Sequence, residues 1–171
     1  MEIIHAYSDQ QIETIRTLFR EYEAFLQVDL CFQGFEAELA GLPGRYDPPR
    51  GALLLAMAGK TAAGCVALRP LDAQVCEMKR LFVRPRFLGH GIGNALTRAI
   101  IEKAQEAHYQ RMVLDTLDKL KPALALYTRL GFEQCEPYYP NPLPGAIYLQ
   151  LDLKRNRSPA ASPPGRQRTI V

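Results

Sequence analysis

Three glycines at every second position, Gly89, Gly91 and Gly93, lie in the run Leu88-Gly89-His90-Gly91-Ile92-Gly93-Asn94, between a strand-like segment and a helix-like one. Glycine admits positive φ and lets a ligand come close to the main chain. The first turn of the following helix presents unpaired N–H groups and the positive end of its dipole. Together these features suit a phosphate or pyrophosphate, and on spacing alone a tight strand-to-helix turn fits as well. Two nucleotide loops are excluded. A dinucleotide GxGxxG starting at Gly89 would need glycine where Asn94 stands, and no Gly-Lys-Ser/Thr closes a Walker A loop. Metal chemistry has no ligand set, because Cys31, Cys65, Cys76 and Cys135 form no CxxC pair and His5, His90 and His108 are scattered. The cysteines have apolar neighbours and read as core or half-buried thiols in a reducing compartment.

The elements around this loop follow from periodicity. Residues 2–6 suit a short opening strand. From Gln10 to Leu26, Ile12, Ile15, Leu18, Phe19, Tyr22, Phe25 and Leu26 recur at helical steps, with Ser8 or Asp9 as cap. A short helix over Phe35 to Leu42 ends at Pro43-Gly44. Ala52–Met57, Ala62–Leu68 and Val75–Val83 read as strands of an antiparallel meander, with turns at 59–61 and 69–72. Alternation in the last of them puts Cys76, Met78 and Arg80 on one face, and Glu77, Lys79 and Leu81 on the other. The helix after the glycines turns Ile92, Leu96, Ala99, Ile100 and Ala104 inward. Arg111–Thr116 reads as a buried strand, Ala123–Leu130 as a helix stopped by Gly131, and Phe132–Cys135 and Ala146–Leu153 as closing strands. The order is that of an α/β (α+β) domain with a mixed sheet.

The 171 residues fit one domain, 1–153, followed by a basic Pro/Ser/Arg-rich tail, 154–171, that is expected to be disordered. That tail holds Lys154, Arg155, Arg157, Arg166 and Arg168 and no acid, so the net charge of +3 belongs to it and the body is slightly acidic. The basic balance therefore supports no nucleic-acid face on the domain. No apolar run approaches a membrane span, and MEIIHAYSDQQ lacks the character of a signal peptide, so a cytoplasmic location is expected.

The segment CEMKRLFVRPRFLGHGIGNALTRAIIEKA, then VLDT, then ALALYTRLGF, resembles the GNAT superfamily of acyl-CoA N-acyltransferases over roughly residues 52–153. The resemblance implies a mostly antiparallel sheet of about six to seven strands with helices on both faces and a splayed central strand pair. It also implies acetyl-CoA as acetyl donor and needs no metal. By the same resemblance, main-chain groups of Leu81, Phe82 and Val83 would hold the pantetheine arm. Backbone amides of Gly89, His90, Gly91, Ile92, Gly93 and Asn94 would hold the pyrophosphate. Tyr127, which on its position alone suits a core tyrosine, would lie beside the thioester sulfur and act as proton donor. Two positions depart from the family pattern: Leu88 stands where Gln or Arg is frequent, and Leu120 where Asn is frequent.

Attack by an amine requires its neutral form, so a base matters most for an aliphatic amine. Glu77, on the cofactor strand, is the first choice and Asp115 the second, each with an ordinary structural carboxylate as the alternative. The proline-rich run 136–145 is either a stiff connector or a wall of the acceptor pocket offering Tyr138 or Tyr139. Tyr22, Phe32 and Phe35 stand as an opposite wall or as core, and Arg45 and Arg50 as carboxylate contacts or solvated charges. The expected acceptor is a primary amine of a small or amino-acid-like molecule, met by a monomer or a homodimer. A protein N-terminus or lysine, and a catalytically silent acyl-CoA sensor, are the alternatives.

Overall fold

The computed structural model describes residues 1–155. The expected tail lies, from residue 156 on, outside the described residues.

Ser8 starts the first long helix. Its hydroxyl accepts from the Gln11 N–H at 3.3 Å while the Gln11 side chain takes the Ser8 N–H at 3.0 Å, a reciprocal capping box. Helix α1 (Asp9–Leu26) then buries Ile12, Ile15, Leu18, Phe19 and Leu26, each contributing about 1.5–3 kcal/mol through removal from water. A 3-10 turn (Cys31–Gln33) leads into the short α2 (Phe35–Ala40), which stops two residues earlier than the sequence suggests.

Strands β1 (Glu2–His5), β2 (Ala52–Ala58), β3 (Thr61–Pro70), β4 (Val75–Val83), β5 (Arg111–Leu117), β6 (Glu133–Gln134) and β7 (Ala146–Asp152) form one sheet in the order β1-β2-β3-β4-β5-β7-β6. The expected meander of β2, β3 and β4 is present, although Arg69 and Pro70 belong to β3 and the turn falls at 71–74. All pairings are antiparallel except β4 with β5. That parallel pair is brief: Val75, Cys76 and Glu77 meet Arg111, Met112 and Val113, after which the strands part.

Helices α3 (Ile92–Glu106) and α4 (Lys121–Arg129) cover one face over a core that includes Met78, Leu96, Ile100, Met112 and Leu114. Helices α1 and α2 cover the other, over Phe19, Phe35, Leu53, Cys65 and Phe82. Cys65 and Cys76 are buried and Cys135 is half-buried, but Cys31 is exposed, which corrects its reading as a core or half-buried thiol.

Inside β4 the alternation slips. Cys65 faces Phe82 and Ala67 faces Lys79, so β4 carries one residue more than β3 across this interval. Arg80 takes up the extra residue with φ of 58°, a conformation that costs a non-glycine residue about 1–2 kcal/mol. The bulge corrects two face assignments. Leu81 and Val83 pack on the α3 side, whereas Arg80 joins Glu77, Lys79 and Phe82 on the α1 side.

Candidate active site

Where β4 and β5 separate, a cleft opens through the sheet. Met78, Lys79, Arg80 and Leu81 border it from β4, Leu114 to Leu117 from β5, and Leu120, Ala123 and Tyr127 from α4 and its lead-in. Tyr22, Leu26, Leu30 and Gln33 close it from the α1 side, with Asn141 and Leu143 from the loop before β7.

The glycine run joins the end of β4 to α3, and a Cβ on Gly93 would lie 3.9 Å from the Val83 side chain and 3.7 Å from that of Leu126. Gly89 and Gly91 have φ of 81° and 74°, and Gly91 is the N-cap of α3. Among the described residues, the N–H groups of Gly89 through Asn94 donate to no protein acceptor, and the first bond of the helix is Ala95 N–H to the Gly91 carbonyl at 3.0 Å. Six consecutive unpaired donors at a helix start form a cradle for a polyanion. Beyond Glu77 the β4 edge toward β5 has no strand partner, leaving the main chain of Leu81, Phe82 and Val83 open to an extended amide-bearing chain. These features fit the pyrophosphate and pantetheine of acyl-CoA. Leu88 is exposed at the loop's outer side, and Leu120 borders the cleft at the start of α4.

Tyr127 reaches the cleft from α4. Its ring packs on Phe132 at 5.6 Å between centroids, and the residue is 5% exposed. Burial pushes the phenol's pKa far above its ordinary value. Its hydroxyl makes no hydrogen bond to the described residues and borders the cleft.

Glu77 does not look into the cleft beside Leu81, because the bulge puts the two on opposite faces. Its carboxylate is fully buried and already engaged: Arg69 Nε donates at 2.6 Å, the Tyr138 hydroxyl at 2.9 Å, and Lys79 Nζ lies 3.6 Å away. Asp115 does border the cleft, half-buried, accepting from the Tyr139 hydroxyl and, at 2.7 Å, from Asn141 Nδ2. Tyr138 and Tyr139 thus stand behind the two carboxylates, and the loop residues that border the cleft are Asn141 and Leu143. Tyr22 borders it directly, with its ring edge-on to Phe82, and burial pushes its hydroxyl up to about 12. Phe35 is core and Phe32 packs against the core. Arg45 donates to the Pro70 carbonyl, while Arg50 lies 4.3 Å over the Tyr109 ring and donates to the Asp72 and Ala73 carbonyls.

Four further residues here, Gln33, Glu38, Lys79 and Arg80, were not among the sequence candidates. Arg80 donates to Glu38 at 2.6 and 3.1 Å and to Gln33 Oε1 at 2.9 Å; Lys79 Nζ sits 3.4 Å from that same oxygen. Burial pushes the Lys79 ammonium's pKa down, against the Glu77 charge. The available signal was the succession Glu77-Met78-Lys79-Arg80 in a strand flanked by apolar strands, since charges in a central strand are buried only when paired. Among the described residues no His/Cys/Asp/Glu group could hold a metal, and no helix is long and apolar enough to cross a membrane.

The family described as "Acetyltransferase (GNAT) family" matches residues 12–132. An uncharacterized N-acetyltransferase of Schizosaccharomyces pombe is 42% identical over 148 residues, covering 85% of this chain and 91% of that protein. A second, from Dictyostelium discoideum, is 30% identical and covers 90% of this chain and 99% of its own. Among solved structures, a GNAT-family acetyltransferase from Staphylococcus aureus superposes with a TM-score of 0.74 at 21% identity, covering 89% of this chain and 98% of that one. A GNAT-family acetyltransferase from Elizabethkingia anophelis with acetyl-CoA bound has a TM-score of 0.52 at 29% identity, covering 60% of this chain and 76% of the other.

Proposed function

Because the chain belongs to the GNAT acetyltransferase family, we propose that it transfers an acetyl group from acetyl-CoA to the primary amine of a small, amino-acid-like molecule by direct attack on the thioester. The chain is an acyltransferase by its family, and the family uses acyl-CoA. The observation that carries the reading is that the strand bordering the cleft, β4, leads directly into the amide cradle. The unpaired amides of Gly89 through Asn94 suit a pyrophosphate, and the cleft holds a carboxylate and a phenol, Asp115 and Tyr127.

Acetyl-CoA supplies the activated acetyl group. Asp115 takes a proton from the acceptor ammonium, directly or through a water. The neutral nitrogen attacks the thioester carbon and the C–S bond breaks, the Tyr127 hydroxyl giving its proton to the departing sulfur. The second proton of the nitrogen returns to the phenolate, which burial strongly disfavours as an anion, and the proton on Asp115 passes to solvent. Glu77, bound to Arg69, Lys79 and Tyr138, organises the charges behind the acceptor. Tyr22, Leu26 and Leu143 line the cleft on the side away from α4, and we take these side chains as walls suited to a small acceptor.

Thermal unfolding with acetyl-CoA, CoA and ATP at equal concentration tests the cofactor. Ligand at about a hundred times its dissociation constant adds roughly 2.7 kcal/mol, which raises the melting temperature by about 5–10 °C. The expected result is that shift with both CoA compounds and none with ATP. No shift with acetyl-CoA overturns the proposal.

A further inference from the structure

We infer that the acceptor carries a carboxylate beside its amine, and that the Lys79 ammonium is the group that recognises it. The inference rests on the acetyl-transfer reading above and names the substrate class of the same site.

Three cations gather around Glu77 and Gln33 on the α1 side of β4, and two of them hold a carboxylate at short range. Arg69 Nε reaches Glu77 Oε2 at 2.6 Å. Arg80 makes a two-pronged pair with Glu38, at 2.6 and 3.1 Å, and adds Gln33 Oε1 at 2.9 Å. Lys79 is the exception. Its side chain is 4% exposed, yet its nearest acceptors are Gln33 Oε1 at 3.4 Å and Glu77 Oε1 at 3.6 Å. Both oxygens already serve closer donors, Arg80 at 2.9 Å and the Tyr138 hydroxyl at 2.9 Å. Bonds between an ammonium and a carboxylate ordinarily run about 2.7–2.9 Å. A buried ammonium with three donors and two distant, shared acceptors is short of an anion.

Lys79 borders the cleft from β4, and Asp115 borders it from β5. They form no ion pair with each other, although the Asp115 charge acts on the Lys79 ammonium. Among the described residues Asp115 receives neutral donors alone, Tyr139 and Asn141. One wall therefore presents an under-satisfied cation and the other an anion with no cationic partner among the described residues. An amino-acid-like zwitterion complements both: its ammonium meets Asp115 and its carboxylate meets Lys79. Arg45 and Arg50 are not rival anchors, because backbone carbonyls and the Tyr109 ring hold them elsewhere. A peptide N-terminus or protein lysine carries an amide where the zwitterion carries its charge, and Lys79 would be left with the same deficit.

The test measures thiol release from acetyl-CoA with a panel of α-, β- and γ-amino acids, their carboxamides, and the corresponding decarboxylated amines. In the wild type, kcat/KM for the best acid should exceed that for its amide by about 10–100-fold, the range for a charge-assisted hydrogen bond. In Lys79→Met that ratio should fall to about unity, mainly through KM, and Lys79→Arg should recover part of it. The wild-type acid-to-amide ratio decides the matter even where a variant does not fold. Amides or decarboxylated amines that match the acids overturn the inference, as does an acid preference that survives in Lys79→Met. Acetyl-CoA binding by calorimetry separates the two levels. Failure to bind overturns acetyl transfer itself; binding with no acid preference, or with no release from any panel member, overturns this inference alone.

Discussion

Burial keeps the Tyr127 phenol protonated far above neutral pH, while its hydroxyl makes no hydrogen bond to the described residues. Such a group is suited to giving a proton and not to taking one. Tyr127→Phe should therefore retain acetyl-CoA affinity and lower kcat by roughly ten- to a thousand-fold. Single-turnover measurements would show whether the loss lies in the chemical step; an unchanged chemical rate removes the role. The two carboxylates divide on geometry. Asp115 borders the cleft with neutral donors around it, whereas Glu77 is shut behind it between Arg69, Lys79 and Tyr138. Asp115→Asn should lower kcat/KM by about a hundred-fold or more and abolish the acidic limb of its pH profile. Glu77→Gln should keep that limb while costing about 3–5 kcal/mol of stability, because it strands buried cations. If Asp115→Asn keeps the limb and Glu77→Gln loses it, the assignment is reversed.

At the scale of elements, the β4 bulge decides what the cleft contains. It turns Leu81 and Val83 toward α3 and the cofactor loop while holding Lys79 and Arg80 on the acceptor side. Gly64 makes this possible, since a Cβ there would lie 2.4 Å from the Phe82 carbonyl oxygen. Gly64→Ala must push β4 aside at the segment that borders the pantetheine path. It should cost about 1–3 kcal/mol and weaken acetyl-CoA binding, read by denaturant unfolding and calorimetry; wild-type affinity would show that the path lies elsewhere. The bulge also marks the limit of what was legible from residues. Helices α1 and α3, the meander and the glycine loop could be read because each is written in local periodicity, a Ser8 cap or glycine spacing. Glu77, Lys79 and Leu81 alternate without interruption in the sequence, so they suggest one face. The extra residue at Arg80 is set by Gly64 on the neighbouring strand and by Glu38 from α2, partners that no local window contains.

For the whole molecule, β4 gives residues to both cores, as β2 and β3 do, and Arg80 within it and Arg84 just after it tie it to the α1 and α2 layer. Two ion pairs make that tie. Arg84 with Glu21 is partly exposed and weakened by solvent screening, so it adds little. Arg80 with Glu38 is buried, and the Tyr46 hydroxyl also donates to Glu38 at 2.6 Å. Burial by itself would raise the Glu38 carboxyl, but the hydrogen bonds and charge of Arg80 outweigh it and hold the group below its ordinary 4.5. A carboxyl depressed in the folded state stabilises the fold above the unfolded value, and that stability is lost as pH falls through the folded value. The chain should therefore lose stability on acidification below about pH 5. Glu38→Gln should be less stable at neutral pH by about 3–5 kcal/mol, since it leaves a buried guanidinium underpaired, and its stability should fall less steeply with acid. Urea unfolding at a series of pH values reads both quantities, and an acid slope equal to that of the wild type would place the titration on other carboxylates. The double variant Glu38→Leu/Arg80→Met, which removes both charges, should recover much of the loss. If it does so while the acid-over-amide preference persists, this pair serves the fold and recognition rests with Lys79.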